Sequence, residues 1–213
     1  MNEIQITNQL SGKLSAGINL YRDIKNPDPQ KLEIHIQNEL SSIIKKYREN
    51  MPSGYNFSRK LYREFHIDPT KNRPSSEALW RRLKNKGNFP RVNPFVDLTN
   101  LLSLKFQICF GLYDMEKIEG KISLILGTDR DQYQGIRKDI LHMKGKITLI
   151  DSEGAFGNPS SDSLRACVNT STSNIMQVLF FHKQDPDASK LIQETIATFK
   201  KFFQIRDIQS DLI

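Results

Sequence analysis

Two polar stretches in the middle of the chain carry side chains that can bind a ligand or hold a reacting group. The first, residues 73–82, contains Arg73 and Glu77. The second, residues 93–100, has three polar side chains at spacings of four and three: Asn93, Asp97 and Asn100. A helix places these three on one face, where they either brace neighbouring backbone or line a polar pocket. The spacing leaves both interpretations open.

A third candidate is the segment 151–163, which is rich in Gly, Pro and Ser and includes Asp151 and Asp162. Its backbone amides and hydroxyl groups could contact a ligand, or its polar side chains could satisfy local backbone groups as in an ordinary turn. We weigh these two interpretations equally. Asp162 is followed by Ser163, but no histidine is placed by the sequence to activate that serine. We therefore expect water to be the attacking group in any hydrolysis.

Several common catalytic signatures are absent from the sequence. These are the phosphate-binding Gly-x-x-x-x-Gly-Lys, the dinucleotide-binding Gly-x-Gly-x-x-Gly, the nucleophile-elbow Gly-x-Ser-x-Gly and the zinc-binding His-Glu-x-x-His. The four histidines lie on different predicted elements, so we expect neither a metal site nor a cofactor. Cys109 and Cys167 are far apart in apolar surroundings and are expected to be buried free thiols.

Hydrophobic periodicity predicts the elements that would position these residues. The predicted strands are residues 3–7, 13–21, 121–127, 146–151 and 175–182. The predicted helices are residues 30–49 with an end near Pro52-Ser53-Gly54, 58–66, 75–86, one beginning at Pro94, and 187–203. Ser75 and Asn93 are expected to cap two of these helices, and Gly87 to end the first of the two.

Helices followed by short strands, without a regular alternation, predict an α+β fold. The 213 residues are 38% hydrophobic and 26% charged, which suits one compact unit. We expect residues 1–66 to form N-terminal strands and basic helices packed on the core. Residues 67–185 would form the central domain and residues 186–213 a C-terminal helix. No secretory signal or long apolar run is present, so we expect a cytoplasmic protein that does not enter a membrane.

The positive charge of the chain is concentrated in one region. Residues 41–91 carry thirteen basic and four acidic side chains, a local charge of +9, whereas the whole chain is +7. A basic surface of this kind fits a polyanion, and the alternative is a solvated helical face. Charge alone does not separate nucleic-acid binding from that alternative.

Five blocks of sequence, in this order, resemble the B3/B4 domain of the phenylalanyl-tRNA synthetase beta subunit, and specifically its freestanding relatives. The blocks are Ile67-Asp68-Pro69-Thr70-Lys71, Arg73-Pro74-Ser75-Ser76-Glu77-Ala78-Leu79, Asn93-Pro94-Phe95-Val96-Asp97, Gly111-Leu112-Tyr113-Asp114-Met115-Glu116-Lys117-Ile118 and Gly154-Ala155-Phe156-Gly157-Asn158-Pro159-Ser160-Ser161-Asp162-Ser163. The resemblance covers residues 67–181 and implies a three-layer β/β/α core.

The resemblance also implies an activity, because that domain hydrolyses the ester of a wrongly attached amino acid on tRNA. We therefore expect a freestanding aminoacyl-tRNA deacylase whose partner is the aminoacylated acceptor end of tRNA. The residues expected to line the substrate pocket are Arg73, Glu77, Asp97, Asn100, Tyr113, Asp114, Gly157, Asn158, Asp162 and Ser163. Those expected to contact tRNA phosphates are Lys45, Arg59, Arg81, Arg82 and Lys84. Backbone amides near residues 154–158 would stabilise the oxyanion, while the catalytic group is left unassigned.

Three positions depart from the family pattern. Gly111 stands where the synthetase domain has a histidine, Ala166 stands where relatives have a threonine, and a strand arginine is replaced near Leu126. The pocket must therefore differ from that of the synthetase domain. Two alternatives follow: a tRNA, RNA or aminoacyl-ligand binding module without catalysis, and a protein-interaction domain whose basic helices meet an acidic partner.

Overall fold

The computed structural model describes residues 4–47, 55–137 and 139–213. The strands are β1 Ile4–Ile6, β2 Leu14–Arg22, β3 Cys109–Asp114, β4 Ile122–Leu126, β5 Gln132–Gln134, β6 Ile140–His142, β7 Ile147–Asp151, β8 Gly154–Asn158, β9 Ser161–Asp162, β10 Ile175–His182 and β11 Asp207–Leu212. The helices are α1 Asn8–Ser11, α2 Pro29–Tyr47, α3 Tyr55–Glu64, α4 Ser75–Lys86, α5 Pro94–Phe106 and α6 Ala188–Phe202. The fold is α+β, as predicted.

The strands form two main sheets and a small hairpin. A four-stranded antiparallel sheet has the order β11-β2-β10-β3, and a five-stranded sheet has the order β1-β4-β7-β8-β9. In the second sheet β1 pairs with β4 in parallel, while the other pairs are antiparallel. The hairpin of β5 and β6 is a separate two-stranded sheet that contacts the β8–β9 end of the five-stranded sheet.

The four-stranded sheet is the middle layer. Side chains alternate along β10, so that Ile175, Leu179 and Phe181 join the apolar cluster against helices α2, α4, α5 and α6. Met176, Val178 and Phe180 belong to the cluster between the two sheets. The order of layers is therefore five-stranded sheet, four-stranded sheet and helices, which confirms the predicted β/β/α architecture.

Several predicted elements agree with the structure because their sequence signals are strong. The predicted strand 175–182 coincides with β10, and the predicted helix 75–86 coincides with α4. Gly87 follows α4 with φ +58°, a conformation that favours glycine. Ser75 is not the cap of α4, however, because Pro74 occupies the capping position and makes no side-chain bond.

Several strands are not predicted by the sequence patterns. Residues 154–158, predicted as a loop, form β8 between β7 and β9. Strands β3, β5 and β6 have no predicted counterpart, and residues 207–212 form edge strand β11 rather than part of the predicted C-terminal helix. The predicted end of the helix 30–49, including Pro52-Ser53-Gly54, lies outside the described residues.

The N-terminal residues are part of both sheets. Strand β1 lies at the edge of the five-stranded sheet, and β2 lies inside the four-stranded sheet between β11 and β10. The predicted N-terminal part thus supplies sheet strands as well as helices packed on the core, and the domain boundaries stay a prediction. No helix in the described part of the chain is long and apolar enough to cross a membrane.

Candidate functional site

A cavity of about 730 Å³ opens between the helices and the β5–β6 hairpin. Its wall is built from α3, the loop before α4, α4, α5, β3, the hairpin, and the segment that joins β8 to β9. One side of the wall is apolar, and it includes Leu79, Val96, Phe110, Leu141 and Met143. The volume is that of a site for a small organic ligand or the end of a larger one.

The polar side of the cavity is cationic. It contains Lys71, Arg73, Arg82, Arg137 and Lys146, opposed by Asp139 and Asp162. Four of these cations, all except Arg73, form no ion pair with any carboxylate of the described residues. Unpaired cations around a concave surface attract an anionic ligand.

Asp162 is the carboxylate with the most unusual environment in the cavity. Burial raises the pKa of this carboxyl group to about 7, although Tyr113 and the Leu112 amide lower it in part. A group with a pKa near neutral pH is well suited to accept a proton from water and release it again. Asp162 can therefore serve as a general base.

Tyr113 packs against Asp162 from a slot between two glycines. The side chain is fully buried, and its hydroxyl group makes no hydrogen bond of normal geometry within the described residues. Burial, reinforced by the Asp162 carboxylate, raises the pKa of Tyr113 well above its usual value. A methyl group added at Gly111 would lie 2.7 Å from Tyr113 Cζ, and one at Gly157 would lie 2.6 Å from the same atom. The Tyr113 slot therefore exists only because both positions lack a side chain.

The three aligned polar residues at the start of α5, Asn93, Asp97 and Asn100, have different roles. Asn93 Oδ1 accepts a hydrogen bond from Val96 N at 3.0 Å, which confirms it as the cap of α5. The Asp97 carboxylate accepts bonds from Arg91 Nε and Val92 N, both at 2.8 Å. Asn100, half-buried, lines the cavity. Asn93 and Asp97 thus bond to neighbouring backbone, whereas Asn100 lines the cavity.

Glu77 lies beneath the surface next to the cavity and does not line it. Its carboxylate is fully buried and accepts hydrogen bonds from Arg59 and Arg81. Burial raises the pKa of Glu77, but the bonds from these two arginines outweigh it, so the pKa is lowered overall. Arg73 belongs both to this group and to the cavity wall.

Four other predicted pocket residues are engaged in local structure. Asp114 caps the short turn at residues 115–117 and accepts a bond from Thr172 Oγ1 at 2.9 Å. Ser163 Oγ accepts a bond from Ala166 N at 3.1 Å, and Gly157 forms the Tyr113 slot. Asn158 Oδ1 accepts bonds from the amides of Ser160 and Ser161 while the residue lines the cavity.

The structure therefore brings part of the predicted pocket together. The predicted residues that line the cavity are Arg73, Asn100, Asn158 and Asp162. Those that do not are Glu77, Asp97, Tyr113, Asp114, Gly157 and Ser163. Ligand contact by the first group stays a prediction.

The predicted phosphate-binding residues occupy different surroundings. Lys45, Arg82 and Lys84 are exposed, and Arg82 lines the cavity. Arg59 and Arg81 are partly exposed and held by Glu77. Nothing in the sequence singles out Arg137 or Asp139, because the hairpin that places them is not predicted, and Lys146 is only the first residue of the predicted strand 146–151. Lys71, in contrast, is singled out by the sequence, because it is the last residue of the first block of the resemblance.

The predicted oxyanion donors do not form an open loop. Residues 154–158 are strand β8, which pairs with β7 at Gly154, Ala155 and Gly157 and with β9 at Gly157 and Asn158. In the described part of the chain, no group of three or more His, Cys, Asp or Glu side chains could hold a metal ion. Cationic side chains of the cavity can stabilise an oxyanion.

These features define a class: a three-layer α+β domain that carries a cation-lined cavity beside its central sheet. The profile of the B3/4 domain family matches residues 58–199, which is more than half of the chain. The chain therefore belongs to the B3/4 domain family. No curated protein sequence was found to match it.

One solved structure with a similar chain path is the crystal structure of an N-terminal fragment of the phenylalanyl-tRNA synthetase beta-subunit from Pyrococcus horikoshii. The two sequences are 14% identical and the TM-score is 0.46. The similarity covers 98% of the present chain and 53% of the other, so the chain spans about half the length of that fragment.

Proposed function

We propose that this protein binds the aminoacylated acceptor end of tRNA in the cavity and hydrolyses the ester without the rest of a synthetase. Membership of the B3/4 family and the cationic cavity wall support the choice of RNA. The observation that carries the hydrolysis is the Asp162 carboxyl group, which lines the cavity and has a pKa of about 7.

The reaction needs a base and a stabilised oxyanion. The Asp162 carboxylate takes a proton from water while the water oxygen attacks the ester carbonyl carbon. The negative charge that develops on the carbonyl oxygen lies near a cavity cation, for which Arg73 and Lys146 are the candidates. Collapse of the tetrahedral intermediate breaks the bond to the ribose oxygen, which takes the proton from Asp162. The products are free amino acid and uncharged tRNA.

The test is to incubate the protein with a panel of mischarged tRNAs and to follow release of the amino acid. Asp162→Asn is expected to lower the rate about 100-fold, the usual size of a general-base contribution. The matched control is Asp207→Asn, a carboxylate on edge strand β11 away from the cavity lining. Absence of release above buffer across the panel would refute the proposal.

The alternative function is tRNA binding without hydrolysis. The placement of residues 154–158 in β8 favours it, because the predicted oxyanion donors are engaged in the sheet. Salt-dependent binding of tRNA with no turnover, unchanged by Asp162→Asn, would establish this alternative.

A further inference from the structure

An arginine cluster lies beside the cavity, and of its members only Arg73 also lines the cavity and is a candidate for the oxyanion in the proposed hydrolysis. It consists of three residues that pair with Glu77: Arg59 on α3, Arg73 in the loop before α4, and Arg81 on α4. Glu77 Oε1 accepts hydrogen bonds from Arg59 Nη2 at 2.7 Å and Arg81 Nε at 2.9 Å. Its Oε2 accepts from Arg59 Nε at 2.8 Å, and Arg73 Nε lies 3.8 Å from Oε1.

The charges of the arginine cluster do not balance. Three guanidinium groups share one carboxylate, which leaves a local charge of +2. The Glu77 side chain is 0% exposed, whereas those of Arg59, Arg73 and Arg81 are 24%, 40% and 43% exposed. The terminal amino groups of Arg73 and Arg81 donate no hydrogen bond to any of the described residues. Glu77 thus holds Arg59 and Arg81 by hydrogen bonds and Arg73 by a longer ion-pair contact, and the cluster offers solvent-accessible donors.

We infer that Glu77 holds these three arginines in place to bind a backbone phosphate of the RNA whose 3′ end enters the cavity. Arg73 connects the two features, because it belongs to the cluster and to the cavity wall. A guanidinium group binds phosphate through two parallel donors, and fixing it beforehand reduces the entropy lost on binding. The inference rests on the RNA binding of the proposed function and is independent of ester hydrolysis.

The competing role for Glu77 is to join α3 to α4, with no ligand involved. The charge-neutral variant Glu77→Gln tests the positioning role, because simple charge counting and positioning predict opposite signs for the change in RNA affinity. Removing a negative charge strengthens RNA binding if the arginines act only through their charge. If Glu77 positions them, binding weakens instead. The expected result is about threefold to tenfold weaker binding of an uncharged RNA hairpin that ends in single-stranded CCA.

A second variant tests the cluster without changing the buried Glu77 side chain. Arg81→Lys keeps the charge but loses the planar fork, so it is expected to weaken binding of the same hairpin about threefold or more. The matched control is Arg206→Lys, an exposed arginine that pairs with Asp23 at 2.8 Å and does not line the cavity. Its binding is expected to equal that of the wild type.

The outcomes distinguish this inference from the proposed function. Weaker binding in Arg81→Lys, and in Glu77→Gln where it folds, supports the cluster as a phosphate site even if no amino acid is ever released. Unchanged binding in Arg81→Lys, or tighter binding in folded Glu77→Gln, overturns the inference even if the wild type hydrolyses aminoacyl-tRNA. Thermal melting of each variant is measured alongside to establish that it is folded.

Discussion

The Asp162 carboxyl group joins a position in the cavity to a pKa that burial raises to about 7. Such a group destabilises the folded protein whenever it is ionised, so its presence in the core of the site has a thermodynamic cost. Sites that perform proton transfer carry strained or desolvated groups of this kind. Two predictions at the scale of single residues follow from this carboxyl group, and one from the Tyr113 slot.

The first prediction concerns the pH dependence of folding stability. The folded pKa of about 7 lies above the ordinary value of 3.8, so the destabilisation is absent below about pH 4, grows as pH rises and is complete above about pH 7. Asp162→Asn is therefore expected to raise the melting temperature at pH 8 and to leave it unchanged at pH 4. Melting curves across this range check it. An equal shift at both pH values would show that the effect is not ionisation.

The second concerns the pH dependence of hydrolysis. If the ionised form of Asp162 is the base, as proposed, the rate of deacylation rises with pH through about 7 and then levels off. The rate is measured under single-turnover conditions and corrected for spontaneous ester hydrolysis. A rate that keeps rising in proportion to hydroxide would exclude this carboxylate as the base.

The third concerns the glycines of the Tyr113 slot. Gly157→Ala places a methyl group against the buried Tyr113 ring, so we expect a loss of about 1–3 kcal/mol in the free energy of unfolding. Gly12→Ala is the control, since nothing lies within 4 Å of its added methyl group and the backbone φ of −80° suits alanine. Urea denaturation measures both, and equal stability of the two variants would contradict the close packing.

At the scale of elements, the caps of α4 and α5 differ in a way that the sequence does not reveal. Both Ser75 and Asn93 follow the capping pattern, yet only Asn93 forms the bond. The reason is local: Pro74 takes the capping position of α4, which moves Ser75 inside the helix. Strand β10 was predictable because its run of apolar residues is nearly continuous, whereas β8 contains two glycines and reads as a loop.

These caps give the fourth prediction. Asn93→Ala is expected to lower the free energy of unfolding by about 1 kcal/mol, because the amide of Val96 loses its acceptor. Ser75→Ala should change it by less than about 0.5 kcal/mol, since the Ser75 hydroxyl group makes no hydrogen bond within the described residues. Chemical denaturation distinguishes the two, and a larger loss in Ser75→Ala would reverse the assignment.

At the scale of the whole molecule, the site is made by packing that no local pattern encodes. Lys71, Asn100, Lys146 and Asp162 come from four separate segments and meet only when the helices, the hairpin and the sheets are assembled. The excess of basic residues in 41–91 was visible in the sequence, but the contribution of Arg137 and Lys146 was not. Charge composition therefore indicated a basic region of the protein, but not which of its cations line the cavity.

The cationic wall gives the fifth prediction. If three to five of its cations contact phosphates, log K for tRNA binding should fall with log salt concentration with a slope between about −2 and −5. Lys146→Ala is expected to make that slope shallower by about one, and Lys190→Ala on the outer face of α6 serves as the control. Affinity that does not vary with salt would point to a ligand other than a polyanion.

The Tyr113 slot also limits the order in which this sequence can change over generations. A side chain introduced first at Gly111 or Gly157 collides with the Tyr113 ring, while a smaller residue introduced first at position 113 leaves a void between the two sheets. Each single step is therefore expected to lower stability, and a combined change avoids the loss. The three positions are thus coupled, so a histidine side chain fits at position 111 only if position 113 changes with it.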